Sequence, residues 1–171
     1  MRSLLTIILF FALTVASPVL AKPTAVDRLD LERYLGLWHE AARFPAFYQR
    51  GCTDATAVYD RAEKGGIAIT NSCTRKGKRV SVTGNGKPNG VGKFKVSFFK
   101  FIPFRADYWV LWVEPNYKMA VIAVPDGKSA WILSRTPKPS QTQLKKALGV
   151  LKDNGYDPAK LIWNPGVTPP S

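Results

Sequence analysis

Histidine occurs once in this chain, at position 39, and cysteine only twice, at positions 52 and 73. A Ser-His-acid triad needs its imidazole beside a nucleophile in a pocket. His39 directly follows Trp38 on a strand-like run, where successive side chains point to opposite faces. An inward Trp38 therefore leaves His39 outside, and no residue set recommends an enzyme. Transition-metal sites draw on clustered His and Cys, which this chain does not supply, so no metal and no cofactor is expected. No glycine-rich phosphate loop opens a helix. Acidic residues are scarce, 12 against 25 Lys and Arg, for a net charge of +13. That excess favours anionic partners such as lipid headgroups, lipopolysaccharide, fatty carboxylates or nucleic acid.

Long apolar runs are also missing, with one exception at the start. Arg2 and the apolar stretch Leu4 to Val15 precede Val19-Leu20-Ala21, which has the layout of a cleaved export signal over residues 1–21. The run is too short for a membrane span of about 18 residues or more. The mature chain is then 22–171, one domain of ordinary size. No cysteine lies near the cleavage point to accept a lipid, which favours a periplasmic or secreted protein, with outer-membrane association the lesser alternative.

What the chain has in quantity is β-rich segments between turn signals. They fall at 34–44, 53–60, 67–73, 79–84, 92–99, 107–113, 118–124 and 129–135. Lys64-Gly-Gly, Lys76-Gly, Asn85 to Gly90, Pro103, Glu114-Pro-Asn and Pro125-Asp-Gly separate them. Eight such runs without intervening helices predict an antiparallel sandwich or barrel. In 79–84, Val80 and Val82 share a face opposite Arg79, Ser81 and Thr83; in 92–99, Phe94, Val96 and Phe98 do the same. The run 107–113 is apolar on both faces and needs a cover. Ser140-Gln-Thr-Gln143 is a capping box, and Leu144, Leu148 and Leu151 form a helical stripe ended by Gly155. That helix is the cover, and Leu161-Ile-Trp163 follows as a short strand. In an exported chain Cys52 and Cys73 predict a disulfide. A hairpin register that pairs them also pairs Val58 with Ile67 and Thr56 with Ile69.

Three segments carry a resemblance. Tyr34-Leu-Gly-Leu-Trp-His-Glu40 contains a G-x-W at the start of an apolar strand, Asp107-Tyr108 opens a later one, and Trp131-Ile-Leu-Ser-Arg135 closes another. Together they resemble the lipocalins, in particular the bacterial outer-membrane (Blc-type) branch that includes apolipoprotein D-like proteins. The resemblance implies an all-β, eight-stranded up-and-down barrel with one C-terminal helix and a short terminal strand. It implies that Gly36, Trp38, Asp107, Tyr108 and Arg135 are the structural motif, with Arg135 stacked on Trp38 at the closed end. It also implies a cargo of fatty acid or lysophospholipid held by its tail.

The candidate ligand-binding residues are Tyr34, Trp38, Glu40, Phe94, Phe104, Tyr108, Trp112, Trp131 and Leu133. On residue type alone such aromatics are more often plain core, and an eight-stranded barrel either fills its interior or holds one small ligand; the resemblance implies a cavity. Glu40 has the strand parity of Trp38, although a solvated place at the rim suits a carboxylate better. The loops 45–51 and 100–106 should build the open end, where Phe101, Ile102 and Phe104 between Lys100 and Arg105 form a lip suited to an anionic membrane surface. A monomer or weak homodimer is expected, with no nucleic acid bound. The alternatives are a lipid-modifying enzyme using Glu40 and a polyanion-binding barrel.

Overall fold

A computed structural model describes residues 22–98 and 105–170. The expected signal segment 1–21 and the expected lip residues Phe101, Ile102 and Phe104 lie outside the described residues. The strands are β1 (Gly36–Arg43), β2 (Cys52–Arg61), β3 (Ile67–Arg75), β4 (Lys78–Pro88), β5 (Lys93–Ser97), β6 (Ala106–Val113), β7 (Met119–Ala123), β8 (Ala130–Ser134) and β9 (Ile162–Trp163). Each of β2 to β8 pairs antiparallel with its sequence neighbour, and β1 closes the ring by pairing with both β8 and β2. An up-and-down barrel of eight strands results, with β9 bonded to β1 outside the ring. Closure removes the exposed edges that an open sheet would present.

Between the wall and the outside sits the second core. The outward residues Met119, Val121 and Ala123 of β7 and Ile132 of β8 pack with Leu144, Ala147 and Leu151 of the long helix α2 (Gln141–Asp153); a short helix, α1 (Leu31–Tyr34), lies earlier in the chain. The Ser140–Gln143 capping box starts α2 as its sequence predicts. Every residue of β7 is buried, because the barrel covers one face and the helix the other.

The disulfide joins Cys52 to Cys73, with Cα atoms 5.4 Å apart. Its predicted register is not the one found. Cys52 pairs with Arg75, and beyond a register shift between Thr53 and Thr56, Thr56 pairs with Ser72, Val58 with Thr70 and Tyr59 with Ile69. Asp54 adopts a left-handed φ of 49° within that shift, and Cys73 lies opposite the extra residue, two positions from Arg75, the ladder partner of Cys52. Closing a loop of this length contributes about 3 kcal/mol on the chain-entropy account.

Two further bulges set which side chains enter the barrel. Ala41 is extra between Glu40 and Ala42, and Leu111 between Val110 and Trp112. Each insertion reverses the in-out alternation beyond it. The first turns Arg43 inward, and the second turns Trp112 outward.

Candidate functional site

The closed end is built from the N-terminal segment. Tyr34 does not belong to β1, as its sequence context predicts, but to α1 (Leu31–Tyr34), which Asp30 caps. The chain then turns through Gly36, whose φ of +93° strains any L side chain. A Cβ there would meet Arg135 only at ordinary contact distance, 3.5 Å; conformation, not crowding, calls for the glycine. Trp38 is fully buried and donates from Nε1 to the Tyr34 carbonyl at 2.8 Å. Arg135 lies 3.8 Å above its ring and donates to the carbonyls of Leu37, Arg33, Leu35, Tyr34 and Tyr117. One guanidinium thus ties three chain segments over an indole floor.

Above that floor stand three tyrosines. The Tyr34 and Tyr108 hydroxyls are 2.5 Å apart, and Tyr108 donates to Tyr59 at 2.9 Å. Burial pushes the pKa of all three above that of a free phenol, so the hydroxyls stay protonated. Phe94 packs edge-on against Tyr108, and Leu133 and Trp131 join the same inner cluster. Tyr34, Trp38, Phe94, Tyr108, Trp131 and Leu133 are therefore brought together. Trp112 is not: beyond the Leu111 bulge it packs in the outer cluster beneath α2. Asp107 faces outward and pairs with Lys95 at 2.8 Å.

The interior also holds charge, which its sequence pattern concealed. Glu40 is buried inside the wall, not solvated at the rim, and Arg43 pairs with it at 2.8 Å, both side chains 6% exposed. Gln49, from the loop over the mouth, donates to the second Glu40 oxygen at 2.8 Å and accepts from Trp131 Nε1 at 3.2 Å. Arg43 further donates to the Gln49 carbonyl. Burial raises the Glu40 pKa from 4.5, opposed by the Gln49 hydrogen bond and the Arg43 charge. His39 lies on the outer face with Thr56 and Ser134 as its strand partners; burial and the nearby Arg79 charge lower its pKa.

Between floor and loop the wall is lightly built. Ala55, Ala57, Asn71, Val82 and Val80 follow the inward parity of Tyr59, Ile69 and Ile67. Val80 and Val82 have the inward face expected of them but are 40% and 45% exposed. Both lie on the part of β4 that extends beyond its pairing with β5, where the outward residues Arg79, Ser81 and Thr83 are exposed as well. A separate recess of about 440 Å³ lies beneath the loop, between it and β9, lined by Arg43, Phe47, Gln49, Arg50, Trp163 and Pro165 among others.

A closed ring of antiparallel strands, capped at one end by an indole and a guanidinium, is a calyx. Residues 29–166 match the lipocalin-like domain family. The chain is 34% identical over 160 residues to the outer membrane lipoprotein Blc of Citrobacter freundii, covering 90% of this chain and 89% of that one. It is 35% identical over 156 residues to temperature-induced lipocalin-1 of Arabidopsis thaliana, covering 85% and 84%. Among solved structures, insecticyanin from the tobacco hornworm Manduca sexta aligns with a TM-score of 0.67 at 26% identity, over 84% of this chain and 83% of that one. The chain belongs to the lipocalin family.

Proposed function

We propose that this protein binds and carries a fatty acid or lysophospholipid, its hydrocarbon tail inside the barrel and its polar head at the open end. The observation that carries this reading is the pair Val80 and Val82, inward-facing on the wall yet open to solvent. Water in contact with such a surface is displaced favourably by hydrocarbon, at roughly 0.8 kcal/mol per methylene buried. The head would meet the cations around the mouth. An N-terminal export signal would place the protein in the cell envelope, as the names of its outer membrane lipoprotein relatives suggest. No catalytic role is assigned to the buried Glu40, both of whose carboxylate oxygens are already engaged by Arg43 and Gln49. Titration with saturated fatty acids from laurate to stearate tests the reading: affinity should climb with each methylene until the barrel is filled, then level. Affinity independent of acyl length would remove tail burial.

The open end also suits contact with an anionic bilayer. Phe47 and Tyr48, 83% and 52% exposed, stand edge to face on one turn. Arg50, Arg75, Lys76, Lys78 and Lys128 lie in or beside the loops of the same end. Aromatic tips set among cations suit a headgroup layer. In flotation with phosphatidylglycerol vesicles, Phe47→Ser should weaken partitioning about tenfold. Val91→Ser, at an exposed apolar site near the closed end, should leave it unchanged. Equal behaviour of the two variants would discard the contact.

A further inference from the structure

We propose that the barrel floor carries a dedicated hydrogen-bond donor, the Tyr59 hydroxyl, which selects guests bringing an oxygen acceptor to their buried end: hydroxy- or keto-lipids over plain hydrocarbon tails. The inference rests on the carrier reading and adds the class of cargo to it.

Each phenol has one hydrogen to donate and lone pairs to accept with. Tyr108 spends its hydrogen on Tyr59 at 2.9 Å. In the 2.5 Å contact with Tyr34, Tyr108 is therefore the acceptor and Tyr34 the donor. The chain runs one way, from Tyr34 through Tyr108 to Tyr59, and Tyr59 only accepts. Its own hydrogen finds no acceptor among the described residues, although the residue is 3% exposed.

A buried donor left unpaired is unfavourable, and such groups are rare in folded proteins. Here the geometry does not let it escape. The Tyr59 ring stacks on Tyr34 with centroids 5.4 Å apart and planes within 8°, and Tyr108 meets it edge-on at 6.1 Å. The next inward residues of β2 toward the mouth are Ala57 and Ala55, both short. Above the hydroxyl β2 itself thus contributes little bulk, and Phe98, lying over Gly84 of β4, is the large inner side chain that an arriving tail would pass. The end of that tail meets a phenol that has already accepted a hydrogen bond, and a hydroxyl that accepts becomes a better donor. A methyl terminus leaves that donor unpaired; an oxygen satisfies it.

The test compares palmitic acid with ω-hydroxypalmitic acid on wild type, Tyr59→Phe and Tyr34→Phe, taking the ratio of the two affinities within each protein so that differences in folded fraction cancel. Wild type should bind the ω-hydroxy acid at least as tightly as palmitate. Tyr59→Phe moves the spare hydrogen back to Tyr108, one ring further from the guest, and should weaken the ω-hydroxy acid about tenfold relative to palmitate. Tyr34→Phe removes a hydroxyl from the same cluster but leaves Tyr108 donating to Tyr59, so the wild-type ratio should persist. An unchanged ratio in Tyr59→Phe, as when a bound water alone takes the hydrogen, overturns the proposal, and so does an equal change in both variants. Palmitate binding that stays intact in those cases leaves the carrier reading standing. Failure of wild type to bind either acid sinks both.

Discussion

Arg43→Met is expected to destabilise the protein by about 3–5 kcal/mol at neutral pH, the usual consequence of removing one partner from a buried ion pair. The loss arises mainly from what remains: the Glu40 carboxylate, held inside the wall with only Gln49 to hydrogen-bond it. The deficit should depend on pH. Burial already raises the Glu40 pKa above 4.5, and the Arg43 charge opposes that rise; without the guanidinium it climbs further. A carboxyl with a raised folded pKa favours the native state below its unfolded pKa, and that contribution disappears as pH rises through the folded value. Denaturant titrations should therefore show a smaller deficit at about pH 5 than at about pH 7.5. The double variant Glu40→Gln, Arg43→Met, which buries no charge, should recover most of the loss and show no such dependence. A deficit that is equal at both pH values would mean that Glu40 is not the group left stranded.

Arg135→Ala is the second large effect, about 2–4 kcal/mol. Five carbonyls lose a charged donor, and Trp38 loses the cation over its face. The half-exposed position tempers the figure, since water can reach part of the vacated site. Arg135→Lys should recover little, because a point-like ammonium cannot serve several carbonyls and lie flat on an indole together. The guanidinium stays outside the floor, so palmitate affinity of the folded fraction should remain within about twofold of wild type. A selective loss of binding with an unchanged melting temperature would move Arg135 from the frame into the site.

The fold was legible because each strand carries its own turn chemistry. Lys64-Gly-Gly, Lys76-Gly and Pro125-Asp-Gly end runs that the structure also ends, and Ser140–Gln143 starts α2 as a capping box does. The G-x-W and Ser-Arg segments supply Trp38 and Arg135, which stack at the closed end; Asp107 instead pairs outward with Lys95, and Tyr117 is the residue of the β6–β7 connection that joins Arg135. The interior was less legible, and the bulges are the reason. Strict alternation from Trp38 and Glu40 puts Ala42 inside and Arg43 outside; the extra Ala41 reverses both. Strict alternation from Tyr108 puts Trp112 inside; the extra Leu111 removes it. Neither insertion is marked by a glycine or proline, so periodicity alone had nothing to stop it. Gln49 escaped notice for another reason: it acts from a loop, which periodicity does not orient. One signal was available for Arg43, since a carboxylate with inward parity demands a buried partner nearby. Tyr59 was also readable, lying in step with Ala55 and Ala57, but only its hydroxyl geometry gives it a role.

The central claim is that the tail of a lipid lies within the wall, above the tyrosines, and the most direct measurement locates that tail. Crystals grown with an ω-brominated fatty acid give an anomalous signal from the tail end alone. The account predicts one peak inside the barrel, bordered by Ala57, Tyr59 and Phe94. A peak in the recess beneath the loop, beside Phe47 and Trp163, with none inside the wall, would contradict it.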